Sequence, residues 1–134
     1  MEVPRTVAVI NTTRDIIDLL RVALEHAGFV VVTALTTEIR DGHVDFDRMM
    51  RDHEPRVIVY DIAPPYDANF RLFEHLAARP SVKHAHFVLT STNVRHVEHL
   101  GTLHQKVYEI VGKPLDIGEI VGAVNEAMHA RPVR

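Results

Sequence analysis

Asp61 closes the apolar run Val57-Ile58-Val59-Tyr60, Thr90 and Ser91 close Phe87-Val88-Leu89, and Lys113 stands just after the run from Tyr108 to Val111. An acid, a hydroxyl and a cation that each follow an apolar run form one set that a sheet can bring to a single edge, where it could act on a phosphorylated or acidic substrate. Asn11 and Thr12 hold the equivalent place after the first run, Val7 to Ile10. Each residue also has an ordinary structural use. An aspartate at a strand end caps the next loop, and Thr90-Ser91-Thr92 suits the N-cap region of a helix. What raises their significance is the set of elements that brings them together.

Five runs rich in β-branched residues recur: Val7 to Ile10, Phe29 to Thr33, Val57 to Tyr60, Phe87 to Thr90 and Tyr108 to Val111. Their hydrophobicity is continuous, so each reads as a strand covered on both faces. Helix-length segments lie between them. The spacing predicts a helix over about Asp15 to Ala27, with Ile16, Leu19, Leu20, Ala23, Leu24 and Ala27 on its buried face and Gly28 at its stop. Thr12 and Asp15 match a capping box at its start. Phe70, Phe73, Leu76 and Ala77 predict a helix that Pro80 ends. Ile117, Ile120, Val121, Val124 and Met128 predict a last helix, capped by Asp116. The polar stretch Ala34 to Val44, with Gly42, reads as a surface loop. Strands alternating with helices imply an α/β, doubly wound parallel sheet, in which ligands gather beyond the carboxyl ends of the strands.

At 134 residues the chain fits one domain, with a core from about residue 6 to 130, no internal repeat and no appended output domain. A net charge of -3 lacks the strongly basic balance of a protein that binds nucleic acid directly. Without cysteine there is no disulfide, thiolate zinc site or thiol catalysis, which fits a cytoplasmic protein. No signal peptide or membrane span is visible. No G-x-G-x-x-G follows the first strand, and neither a P-loop nor a G-x-S-x-G elbow is present.

The order of these residues from Val7 to about Met128 resembles the receiver domain of two-component response regulators. The resemblance implies a flavodoxin-like receiver fold with strand order 2-1-3-4-5. It makes Asp61 the candidate phosphoacceptor, Thr90 the hydroxyl that turns toward it and Lys113 the cation that pairs with its charge. Pro65 matches the pattern after the acceptor, and Lys113–Pro114 matches its cis peptide. A histidine kinase or other signalling protein is the implied partner, output is by protein contact, and the face of the last helix is the implied surface for a homodimer.

The sequence departs from that pattern at two places. Receivers carry two acidic residues after the first strand, which hold Mg2+ together with the acceptor; here those positions are Asn11 and Thr12. Magnesium requires hard anionic oxygens, so Asp61 alone makes a weak site, and Asp15, turned to the helix backbone by a capping box, is not expected to replace the missing pair. The switch-aromatic position is Ile110. Tyr108, two residues earlier, is expected on the same strand face and in the core. The expectation is thus an atypical receiver, either phosphorylated at Asp61 or working as a phosphorylation-independent pseudo-receiver. An enzyme acting through Asp61 and Lys113 on a phosphorylated substrate is a remoter reading, because no nucleophile and base pair is visible.

Of the ten histidines, His96, His99 and His104, and the pair His84 and His86, invite a metal reading. Zinc on histidine needs three convergent nitrogens, and solvated side chains are the expectation. Gly118 and Gly122 suggest close packing of the last helix. Ala63-Pro64-Pro65-Tyr66 reads as a stiff loop over Asp61.

Overall fold

The computed structural model describes residues 5–101, 107–112 and 116–130. Strands β1 (Thr6–Asn11), β2 (Val30–Leu35), β3 (Val57–Asp61), β4 (His86–Ser91) and β5 (Val107–Gly112) pair in parallel, in the order β2-β1-β3-β4-β5. Helices α1 (Arg14–His26), α2 (Thr36–Arg40), α3 (Phe46–His53), α4 (Tyr66–Ala77), α5 (Val94–Gly101) and α6 (Ile117–His129) cover the two faces. No helix among the described residues is long and apolar enough to cross a membrane. The strand order reverses between β1 and β3, which places the crevice of this doubly wound fold where those two strands end.

The pleat assigns side chains to the two faces. Val7, Val9, Val57, Val59 and Val88 join α1 and α6 in one apolar cluster. Ala8, Ile10, Ile58, Tyr60, Phe87 and Leu89 join α3, α4 and α5 in the other. Continuing the period of two puts Asn11 and Asp61 at the last positions of β1 and β3, and Thr90 next to last in β4, on the α1/α6 side. The register sets them in a row: Ile10 is opposite Tyr60, and Asp61 is opposite Thr90.

Several expectations are corrected. Helix α1 buries Ile17, Leu20 and Leu24, while Leu19 is 49% exposed, so the face is turned from the predicted stripe. The helix carries apolar residues around much of its girth, and packing against the sheet selects which of them face inward. No capping box forms from Thr12 and Asp15. Thr13 is the N-cap, and Asn11 Oδ1 accepts from Thr13 N at 3.1 Å. Gly28 does end the helix, with φ at +97°. The stretch from Ala34 to Val44 is not a loop throughout. β2 runs on to Leu35, opposite Asn11, and α2 begins as Leu35 N donates to Glu38 Oε1 at 2.8 Å. Gly122 has open space where a Cβ would stand and is not a close-packing point. Asp116 caps α6 as expected, accepting from Glu119 N at 3.1 Å.

Tyr108 also departs from its expected place. The register passes from Phe87 opposite Val107 to Val88 opposite Glu109, so Tyr108 is a bulged residue. The extra residue reverses the alternation: Val107 and Ile110 both pack against the α3–α5 cluster. Tyr108 is 38% exposed, lies edge-on to His86, and donates to Glu126 Oε2 of α6 at 3.4 Å.

Tyr60 stands at the centre of the α3–α5 cluster, with ring centroids 5.5 Å from Phe73 and 6.5 Å from Phe87. Its hydroxyl has no hydrogen-bond partner among the described residues, and burial pushes its ionisation well above the usual tyrosine range. Tyr60→Phe keeps the ring contacts and removes a desolvated hydroxyl. The expected result in urea denaturation is a gain of about 1 kcal/mol in unfolding free energy; a loss of that size would show the hydroxyl to be satisfied.

Candidate functional site

The site starts from one buried carboxylate. Asp61, the last residue of β3, is 1% exposed, and Thr90, its opposite number on β4, is fully buried. Thr90 Oγ1 donates to Asp61 Oδ1 at 2.6 Å. Backbone pairing continues one step further, with Ile62 N donating to Thr90 O at 2.8 Å, and Ser91 Oγ donates to Ile62 O at 3.0 Å. Ser91 Oγ also accepts from Asn93 N at 3.2 Å. The loops after β3 and β4 are therefore stitched together directly beyond the Asp61–Thr90 pair.

The loop after β3 has a second support. Pro64–Pro65 is a cis peptide, and Asn69 Nδ2, one turn into α4, donates back to Ala63 O at 2.7 Å. Arg40 Nη2 of α2 donates to Asn69 Oδ1 at 3.0 Å. Sequence reasoning missed Asn69 and Arg40. Asn69 is 7% exposed in the structure, but in the sequence it stands between Asp67 and Arg71 and nothing sets it apart. Nothing in the sequence connects Arg40 to this loop, because the connection depends on α2 having formed.

Asn11 sits beside Asp61 at the end of β1, 2% exposed. Its Oδ1 accepts from both the amide and the hydroxyl of Thr13, at 3.1 and 3.3 Å. The side-chain oxygen at the first of the two altered positions is thus committed to the start of α1. Thr12 is half-buried and Asp15 is exposed on the first turn of α1. Lys113, and with it the Lys113–Pro114 bond, lies outside the described residues. Gly112, immediately before it, pairs with Ser91 and delivers the chain to this same edge. A Cβ on Gly112 would stand 3.0 Å from Val94 Cγ2, so α5 begins in close contact with the end of β5.

Among the described residues the histidines do not converge. His84 lies in the turn before β4 and His86 within the strand, so they do not share a strand face. His96 Nε2 meets Asp67 Oδ1 at 2.6 Å, His99 is exposed, and His104 is outside the described residues. Among the described residues no group of three histidine or acidic side chains could hold a metal ion. A cleft of about 590 Å3 lies between α3 and the turn at Pro80–Val82, and its lining includes none of Asn11, Asp61 or Thr90.

No family model and no curated protein matches the sequence. Solved structures match over nearly the whole chain. A sensor protein from Polaromonas sp. JS666 is 21% identical, with a TM-score of 0.71 over 95% of this chain and 97% of that one. A signal receiver domain of a two-component histidine kinase from Clostridium thermocellum is 12% identical, with a TM-score of 0.75 over 96% of this chain and 100% of that one. The chemotaxis response regulator CheY4 of Vibrio cholerae is 15% identical, with a TM-score of 0.73 over 93% of this chain and 99% of that one. The sheet order and these likenesses give the chain the flavodoxin-like fold of receiver domains.

The edge formed by β5 and α6 is acidic. Partial burial, then the neighbouring Glu126 and Glu119, hold the Glu109 carboxyl above the usual glutamate range. A raised carboxyl binds its proton more tightly in the folded state, so this edge costs stability when ionised and the cost lifts as pH falls through the Glu109 pKa. Glu126→Gln keeps an acceptor for Tyr108 and removes one charge. Thermal melts should show a higher Tm for Glu126→Gln at neutral pH, with the gain disappearing at about pH 3, where wild-type carboxyls are protonated.

Proposed function

We propose that the chain is a receiver-type signalling module of a cytoplasmic two-component phosphorelay. In this reading Asp61 accepts a phosphoryl group from a histidine kinase, and the change passes to a partner protein through the face of α5, β5 and α6. The supporting observation is the 2.6 Å bond from Thr90 to Asp61 at the carboxyl ends of adjacent strands, in a fold shared with receiver domains. A carboxylate oxygen of Asp61 attacks phosphorus, a P–O bond forms, the P–N bond of a phosphohistidine donor breaks, and the imidazole leaves. Thr90, released from the carboxylate, then has a phosphoryl oxygen as its acceptor. By resemblance Lys113 pairs with the added charge.

Magnesium does not fit the residues present. Thr12 and Asn11 are neutral, and Asn11 Oδ1 is already shared by two donors from Thr13. Removing one charge contact at about 4 Å forfeits roughly 4 kcal/mol at an effective dielectric of 20, or about a thousandfold in rate. Phosphoryl acceptance at Asp61 is accordingly slow. The same occupied Asn11 favours a second reading, a pseudo-receiver that docks its partner through the same face without phosphorylation.

Intact mass after incubation with acetyl phosphate separates the two readings. The expected result is a gain of one phosphoryl group by wild type and none by Asp61→Asn; no gain by wild type would leave the pseudo-receiver reading standing. Asn11→Asp preserves an acceptor for Thr13 and adds the absent charge. It should bring a magnesium-dependent rise of at least about tenfold in the phosphorylation rate, and an unchanged rate would mean that Asn11 does not face the reacting group.

A further inference from the structure

A second line of contacts leaves the Asp61–Thr90 pair toward the helices. Tyr66 opens α4, five residues after Asp61, and Thr92 lies two residues after Thr90. Tyr66 OH and Thr92 Oγ1 share a hydrogen bond of 2.6 Å. The Tyr66 ring is tilted against the His96 ring of α5, with centroids 5.8 Å apart. Next to it, Asp67 Oδ1 meets His96 Nε2 at 2.6 Å. Two polar contacts and a ring contact thus clasp the start of α4 to the start of α5. They bridge the two segments that carry Asp61 and Thr90. Tyr66 is half-buried and packs on the same apolar cluster as Val97 of α5 and Ile110 of β5.

We propose that Tyr66 is a positioning residue that carries the state of the Asp61–Thr90 pair to α5, through its hydroxyl on Thr92 and its ring on His96. Thr90 and Thr92 are separated by one residue, and Ser91 is pinned to Ile62 O, so a change of partner at Thr90 reaches Thr92 over a short, braced stretch of chain. Ile110 offers no polar atom for that role on β5. With Thr90 on Asp61, the clasp holds α5 in its resting position against Gly112. With Thr90 drawn to another acceptor, the Tyr66–Thr92 bond lengthens and α5 is released. The last step rests on the reading of Asp61 as acceptor; the clasp itself does not.

Hydrogen exchange of the α5 segment, followed by mass spectrometry, tests both parts. In unmodified protein Tyr66→Phe and, separately, Thr92→Val should each raise exchange in Val94–Gly101 severalfold while α1 and α6 keep wild-type rates. A double-mutant cycle with Thr90→Val reads the coupling. The expected result is that Tyr66→Phe adds little once Thr90 is changed. Unaltered α5 exchange in both clasp variants, or additive effects of Thr90→Val and Tyr66→Phe, would overturn the proposal. A third arm adds acetyl phosphate: wild type should gain α5 exchange and Tyr66→Phe should gain none beyond its own raised level. If wild type takes up no phosphoryl group the acceptor reading fails alone, because the first two arms need no phosphorylation.

Discussion

A carboxylate with 1% of its surface exposed must be answered by donors, since leaving it bare in the interior costs several kcal/mol. Thr90 supplies one such donor, and supplying it constrains the fold around it. The hydroxyl reaches Asp61 only because β3 and β4 are adjacent and in the register that sets Asp61 against Thr90. Parallel neighbours need a crossover, and α4 with the turn before β4 provides it. Ser91 on Ile62 O ties the end of β4 to the loop after β3, and Asn69 on Ala63 O braces that loop against α4. Arg40 extends the same bracing to α2.

The row formed by Asn11, Asp61 and Thr90 was legible because it rests on two short-range signals: continuous apolar runs and the first polar residue after each. The parallel, two-faced sheet follows from connection rules for alternating strands and helices, while the strand order came from the resemblance to receiver domains and is the order observed. What was not legible depended on contacts between distant residues. The stripe read for α1 put Leu19 inward, and packing against the sheet instead buries Ile17, Leu20 and Leu24. The polar segment after Ala34 looked like a loop because β2 is an edge strand, half-wet along its length, and α2 is a single short helix. Tyr108 was misplaced by the bulge, which a simple period of two cannot anticipate. The capping box failed because α1 starts one residue later: Thr13 is the N-cap, without a side-chain cap bond, and Asn11 Oδ1 holds Thr13.

That last contact bears on function. Where the receiver pattern leads one to expect an acid, Asn11 is neutral and its side-chain oxygen holds Thr13 at the entry to α1. The pocket around Asp61 is left with a hydroxyl and, by resemblance, a lysine, while the acidic pair is gone. Position 110 on β5 is an isoleucine, and an aromatic side chain, Tyr66 at the head of α4, is bonded to Thr92 in the loop after β4. Glu109, Glu119 and Glu126 make the edge of β5 and α6 acidic.

The central claim is that Asp61 is the residue that takes the phosphoryl group. It is tested most directly by incubating the protein with acetyl phosphate, reducing the product with borohydride, and sequencing the digested peptides by tandem mass spectrometry. Reduction converts an aspartyl phosphate to homoserine and marks the acceptor. The account predicts homoserine at position 61 alone; homoserine at another aspartate, or at none, would contradict it.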